Sequence, residues 1–223
     1  MALNDDIFSS DLGEYVEDIE ADQPHTPNKR GANHRGKDDI AEYLNPEQIF
    51  VKYIHGMRVY PYERAAGKKA LRDKALVAAL YTTGLRIAEL LSVTKGQIEE
   101  TEDFLIFKQV PIGKRRGKYN LDKALPKKGR LFPFTAIVIQ YVKTVRGKDT
   151  PIFDIAHAHA YRIVNQATGV WAHYFRHQHI SYLLNELRLS TVNVAKLTGH
   201  KDIRTLEGYS HATWKDFTEQ LLK

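Results

Sequence analysis

Residues 68–91 read KKALRDKALVAALYTTGLRIAELL, and this stretch decides the fold. Leu71, Ala75, Ala78 and Ala79, joined by Leu76 and Leu80, repeat with the 3.6-residue period of a helix, so 69–82 is expected to be helical. Gly84 interrupts it, and a second short helix is expected over 86–91. Upstream, Asn45 is placed to cap a helix with Pro46 at its first position and 47–54 following. A loop bearing Gly and Pro, 56–67, separates the two. Downstream, Phe104-Leu105-Ile106-Phe107 reads as a strand, and 119–121 and 130–132 read as returning strands of a small basic sheet. Helices are expected over 135–145, 171–187, 191–197 (capped by Ser190) and 202–208. A last one follows Thr213, with Asp216 at the capping-box position. The fold class is therefore mainly α with one small antiparallel β-sheet, α+β, and the sequence carries no internal repeat.

Composition bounds the rest. The chain has 223 residues, of which 43% are hydrophobic, enough for one large domain or two modest ones. Cys is absent, which excludes disulfide scaffolds, thiolate metal sites and a Cys nucleophile. No apolar run approaches the ~20 residues that cross a bilayer, and the first twenty residues are acidic where a secretory signal would be basic and then apolar. Lys and Arg number 33 against 27 Asp and Glu, but residues 1–22 hold eight acids and no Lys or Arg. The remainder thus carries 33 basic and 19 acidic residues, a net charge of +14. Residues 1–42 read as an acidic, then polar, tail or linker, and 43–223 as the folded body. A basic body points to nucleic acid as a partner. The densest part is 108–130, with nine basic residues and one acid, Asp122.

Two distant segments carry chemistry. One is Tyr81-Thr-Thr-Gly-Leu-Arg86-Ile-Ala-Glu89-Leu90. The other runs from His173-Tyr-Phe-Arg176-His177 through Leu197-Thr-Gly-His200 to Tyr209-Ser-His211. Arg176 and His200 are 24 residues apart, and His200 and Tyr209 nine. In order, spacing and turn residues this resembles the tyrosine recombinase, or phage integrase, family from about residue 44 to the C-terminus. The resemblance implies that family's catalytic-domain fold over 43–223. It also implies cleavage and rejoining of DNA strands through a covalent 3′-phosphotyrosine, with no metal or other cofactor.

The residue types suit that chemistry on their own terms. Attack on a phosphodiester builds charge on oxygens that are already anionic, so fixed cations are needed. Arginine offers a planar fork that stays protonated, and Arg86 and Arg176 are the candidates. Glu89, three residues from Arg86 on a helix, is expected to orient it. A phenol ionises near pH 10 and needs help as a nucleophile, and the resemblance gives that role to Tyr209. It gives His173 general acid–base work and His200 a hydrogen bond to the scissile phosphate. It also requires a lysine that protonates the leaving 5′-oxygen. Spacing favours Lys108 and local wording favours Lys114; Lys108 is the choice. Lys114, Arg115, Arg116, Lys118, Lys127, Lys128 and Arg130 are expected to contact DNA phosphates.

The expected partner is double-stranded DNA, with a four-membered ring of copies joined through the C-terminal helix 213–223 and an accessory DNA-binding protein as a further partner. The setting would be the cytoplasm or nucleoid, on a mobile element, virus or plasmid. Full-length members carry a helical core-binding domain ahead of the catalytic one. Here 42 mainly polar residues stand there, as in a very small recombinase or an excised catalytic domain. Rival readings are a non-catalytic DNA-binding module derived from an integrase, a DNA relaxing enzyme of related plan, and a metal nuclease using His173, His177 and His200.

Overall fold

The computed structural model describes residues 43–57, 66–113, 119–200, 202–204 and 206, all within the unit Arg35–Lys223. The tail expected over 1–42 and the helix expected over 213–223 lie outside the described residues.

Helix α1 (Pro46–Ile49) starts as its sequence dictates. The Asn45 side chain accepts from the Gln48 N–H at 2.9 Å, and Gln48 Oε1 accepts from the Asn45 N–H at 2.9 Å. Both donors would otherwise lack intrahelical partners. The helix widens into a π-helical turn over Phe50–His55 that buries Phe50, Tyr53 and Ile54. Helix α2 (Ala66–Thr83) is the expected one, longer at both ends. Ala75 through Tyr81 have no solvent exposure, so its second half is enclosed on every side rather than along one stripe. It packs on α4 (Phe132–Val142) and α6 (Ala172–Ser181). Tyr81 and Phe50 both meet the Phe134 ring, at 4.8 and 5.2 Å between centroids.

The positive φ of Gly84, 60°, turns the chain from α2 into α3 (Ile87–Leu91). The sheet follows: β1 (Ile98–Glu100), β2 (Phe104–Ile112) and β3 (Tyr119–Pro126), antiparallel in that order. Leu105, Phe107, Val110 and Ile112 point inward from β2, and Lys123 and Leu125 from β3. Phe107 is paired with Lys123 and Val110 with Leu121, so Lys108 and Gln109 together face Asp122. This is a β-bulge, with Gln109 at φ 50° and its N–H held by Asp122 Oδ1 at 2.7 Å.

One expected strand is absent, and two elements, β1 and α5, are additional. Residues 130–132 form no strand: Leu131 caps α4, and Pro133 lies in that helix's first turn, where its missing N–H costs nothing. The third strand is instead β1, ahead of β2. A further helix, α5 (His157–Thr168), was not anticipated, because its buried stripe is only Ala160, Ile163 and Val164. Helix α6 continues as a π-helical turn over Tyr182–Glu186. Helix α7 (Thr191–Thr198) is capped by Ser190, whose Oγ accepts from the Asn193 N–H at 3.3 Å, and it ends on Gly199 at φ 76°. Among the described residues no helix is long and apolar enough to cross a membrane.

Candidate active site

Four elements converge where α2 ends. Thr83 Oγ1 accepts from the Leu85 N–H at 3.2 Å, which shapes the turn after Gly84. A Cβ at Gly84 would stand 2.5 Å from His179 Cδ2, so this turn admits no side chain. Arg86 is then the extended N-cap of α3. Its N–H donates to Glu89 Oε2 at 2.8 Å and its Nη1 to Glu89 Oε1 at 2.8 Å. Glu89 is 6% exposed and also accepts from the Gly113 N–H, at 3.2 Å, at the end of β2. One carboxylate therefore ties Arg86, its own helix and the β2–β3 hairpin together.

Arg176, on α6, is 1% exposed. Its Nη1 donates to the Gly84 carbonyl at 2.5 Å and lies 4.0 Å from Glu89 Oε2. Its Nη2 donates to the Thr198 carbonyl at 2.8 Å and approaches His200 Nε2 at 3.3 Å. Thr198 Oγ1 spends its single proton on the Val194 carbonyl at 2.6 Å, so its 2.6 Å contact with His200 Nδ1 has the ring donating. His200 is thereby assigned as the Nδ1–H tautomer with Nε2 bare toward Arg176. Burial and the neighbouring Arg176 lower the His200 pKa to about 4, with Arg86, His173 and Lys123 acting the same way. The imidazole is neutral at pH 7.

His173 lies one turn before Arg176 on α6, its ring edge-on to His177 at 4.5 Å between centroids. The structure thus brings Arg86, Glu89, Arg176 and His200 together, with His173 close enough to act on His200. It does not bring Lys108 there. The Lys108 ammonium sits on the outer face of the sheet, paired with Glu99 at 3.3 Å and Asp122 at 3.5 Å, which raise its pKa. Strand alternation sends Phe107 inward and Lys108 outward, and the bulge leaves Gln109 exposed beside it.

The lysine that does reach the cluster is Lys123, which the sequence reading counted only among the basic residues of 108–130. It is 5% exposed on the inner face of β3, and its Nζ donates to the Leu197 carbonyl. Burial, with Arg176 and Arg86 adding repulsion and Glu89 opposing, lowers its pKa to about 7. The signal was present: Leu121, Lys123 and Leu125 alternate, which puts Lys123 on the apolar side of a strand.

The expected phosphate contacts divide. Lys114, Arg115, Arg116 and Lys118 lie outside the described residues, as does Tyr209. Lys127, Lys128 and Arg130 are all engaged by acids: Lys127 by Glu100 at 3.0 Å, Lys128 by Asp103 at 2.7 Å, and Arg130 by Glu47 at 2.5 Å and Glu186 at 2.9 Å. Arg130 bridges α1 and the turn after α6. Among the described residues no group of three His, Cys, Asp or Glu is arranged to hold a metal ion.

A family model described as the phage integrase family matches residues 58–215. Tyrosine recombinase XerA of Saccharolobus solfataricus is 26% identical over 160 residues, covering 70% of this chain and 51% of that protein. Tyrosine recombinase XerC of Rickettsia massiliae is 30% identical over 165 residues, covering 65% of this chain and 48% of that one. The chain spans about half the length of these curated relatives. Two solved structures share its fold at a TM-score of 0.57. One is XerH recombinase bound to its difH substrate before cleavage, 17% identical, covering 86% of this chain and 57% of that one. The other is XerA recombinase, 18% identical, covering 88% and 66%. The family match takes in both segments that form the cluster around Glu89, and the chain belongs to the phage integrase family, the tyrosine recombinases.

Proposed function

We propose that this chain breaks and rejoins DNA strands by transesterification, as a site-specific recombinase. Tyr209 Oη attacks the scissile phosphorus, its bond forms as the bond to the 5′-oxygen breaks, and a 3′-phosphotyrosine and a free 5′-hydroxyl result. The reverse attack by a 5′-hydroxyl restores the diester, and the bond count is unchanged throughout. Arg86 and Arg176 hold the non-bridging oxygens and carry the charge that grows there. His173 takes the phenol proton. The phosphate draws the Arg176 N–H away from His200 Nε2, and its negative charge favours a proton on that nitrogen, so His200 turns from acceptor to donor.

For the leaving oxygen we assign Lys114 instead of Lys108. Two observations support the change: Lys108 is ion-paired on the outer face, and Gly113, the residue before Lys114, is bonded to the carboxylate that holds Arg86. Double-stranded DNA is the substrate, and a ring of copies joined through 213–223 is the working assembly. The observation that carries the reading is the convergence of Arg86, Arg176 and His200 around one buried glutamate, from segments about ninety residues apart.

A nicked duplex that traps the cleaved state tests it. Wild type should form a protein–DNA adduct that survives denaturant and is made equally with EDTA, and Tyr209→Phe should bind the duplex without forming it. An undiminished adduct in the variant would remove Tyr209 from the mechanism.

A further inference from the structure

The buried lysine on β3 has no part in the reaction just described, yet it stands among the groups that perform it. The last carbonyls of a helix lack intrahelical partners and carry partial negative charge. At the end of α7 two of them are taken by cations from other elements: Leu197 by Lys123 and Thr198 by Arg176. The turn that follows is pressed against the hairpin. A Cβ on Gly199 would lie 2.5 Å from Ile112 Cγ2 and 2.8 Å from Tyr119 Oη. The Gly199 and His200 N–H groups both return to the Ala195 carbonyl, at 2.8 and 3.0 Å. His200 therefore takes its place from how the end of α7 is seated on the sheet.

We propose that Lys123 is a positioning residue: by bonding the Leu197 carbonyl from the inner face of β3, it locks the end of α7 to the sheet and holds His200 against Arg176. Its relevance to catalysis rests on the function proposed above. The contact itself does not.

An apolar side chain would be the cheaper occupant of that site, since a lysine buried on the inner face of the sheet, opposite Phe107 and beside Leu125, gives up its hydration. The groups facing it make the contact responsive. Arg176 on α6 and Arg86 ahead of α3 repel the ammonium, Glu89 on α3 attracts it, and His179 on α6 and His200 after α7 are both lowered in pKa by it. With its own pKa near 7, Lys123 is only partly protonated at neutral pH. A phosphate between the arginines adds negative charge nearby and favours the ammonium, which bonds a carbonyl more strongly than the amine does. Substrate binding would then tighten the seat of His200.

The test compares wild type with Lys123→Met, which keeps length and loses the donor. In the free protein the His200 ring resonances should move in the variant. On the nicked duplex its single-turnover adduct formation should fall by about tenfold or more. DNA affinity should stay within about threefold. A folded Lys123→Met with unmoved His200 resonances and a wild-type adduct rate overturns the proposal. If the variant does not fold, wild type labelled with 15N-lysine decides. Below about pH 6, where Lys123 is an ammonium, one slowly exchanging Nζ signal near Leu197 is expected, and rapid solvent exchange at every lysine Nζ refutes the contact. Should wild type form no adduct at all, the proposed reaction fails, while the His200 and Nζ measurements, made without DNA, still judge the role of Lys123.

Discussion

Replacing Arg176 by Ala should cost the protein both stability and rate, whereas the same change at Arg86 should cost mainly rate. Arg176 is 1% exposed and holds two backbone carbonyls, Gly84 and Thr198, that truncation would deprive of this donor. Leaving buried polar groups unpaired costs about 1–3 kcal/mol each. The buried Glu89 also loses a cation 4.0 Å away. A loss of about 3–5 kcal/mol is the expected sum, in the range found when one partner of a buried ionic contact is removed. For a domain of this size that corresponds to a fall in Tm of roughly 6–20 °C. Arg86 differs. Its side chain is 32% exposed and its one described partner is Glu89, which keeps the Arg86 and Gly113 N–H bonds after truncation. Arg86→Ala should therefore destabilise by about 1 kcal/mol or less. Either variant should slow single-turnover adduct formation by at least roughly a hundredfold, the usual effect of removing a donor that meets developing charge. Calorimetric melting of both variants beside wild type reads the difference. A melting point for Arg176→Ala within about 2 °C of wild type would refute the view of this guanidinium as a strut as well as a clamp.

Three further outcomes are expected. Gly84→Ala forces a side chain onto φ 60° and into His179 Cδ2, so urea unfolding should show a loss of about 2 kcal/mol or more; an unchanged midpoint contradicts the steric argument. His200 and His179 have folded pKa values lowered to about 4 and about 3 from an ordinary 6.5. The unfolded chain thus binds more protons between those limits, and the stability these two histidines contribute should be complete above pH 6.5 and fall as pH drops toward 4, by roughly 1 kcal/mol per pH unit for each. Urea midpoints taken at several pH values check this, and His200→Gln should shallow the slope. Last, Lys108→Ala should leave cleavage within about threefold of wild type, while a substrate with a 5′-thiol leaving group should rescue Lys114→Ala. Rescue of Lys108→Ala alone would return the role to Lys108.

The helical frame was legible because its signals are local. Asn45-Pro46, Ser190 and the apolar period of α2 each act within a turn or two, and each element appears where those residues put it. Arg86, Glu89, Arg176 and His200 were legible for another reason: their turn residues and spacings repeat a family pattern, and the structure gathers them. Other features depend on tertiary context. The strand expected at 130–132 is the entrance to α4, because Pro133 favours a helix start more than Leu131 and Phe132 favour a strand. Lys108 was chosen by counting residues from Arg86. Counting does not register which face of a strand a side chain takes, nor a bulge that sets two residues against one. The acids that pair with Lys127, Lys128 and Arg130, namely Glu100, Asp103, Glu47 and Glu186, come from elsewhere in the chain or across a turn, so sequence alone does not show these ion pairs.

The same context explains how this site stays cationic while largely buried. Arg86, Arg176 and Lys123 cluster about one carboxylate, Glu89, in a region where charge is costly to desolvate. A second and third acid would settle that cost, but they would also cancel the field a phosphate must meet. The fold uses carbonyls instead: Gly84, Leu197 and Thr198 accept from Arg176 and Lys123 without adding a negative charge. Two of the three come from the end of one helix, where the macrodipole makes them better acceptors. The remaining imbalance shows in the neighbours, since His200 and His179 are driven neutral and Lys123 partly so. A bound phosphodiester would supply the missing anion. On the proposed function, the site is held in the charge state its substrate would complete, and its preorganisation comes from backbone that cannot titrate.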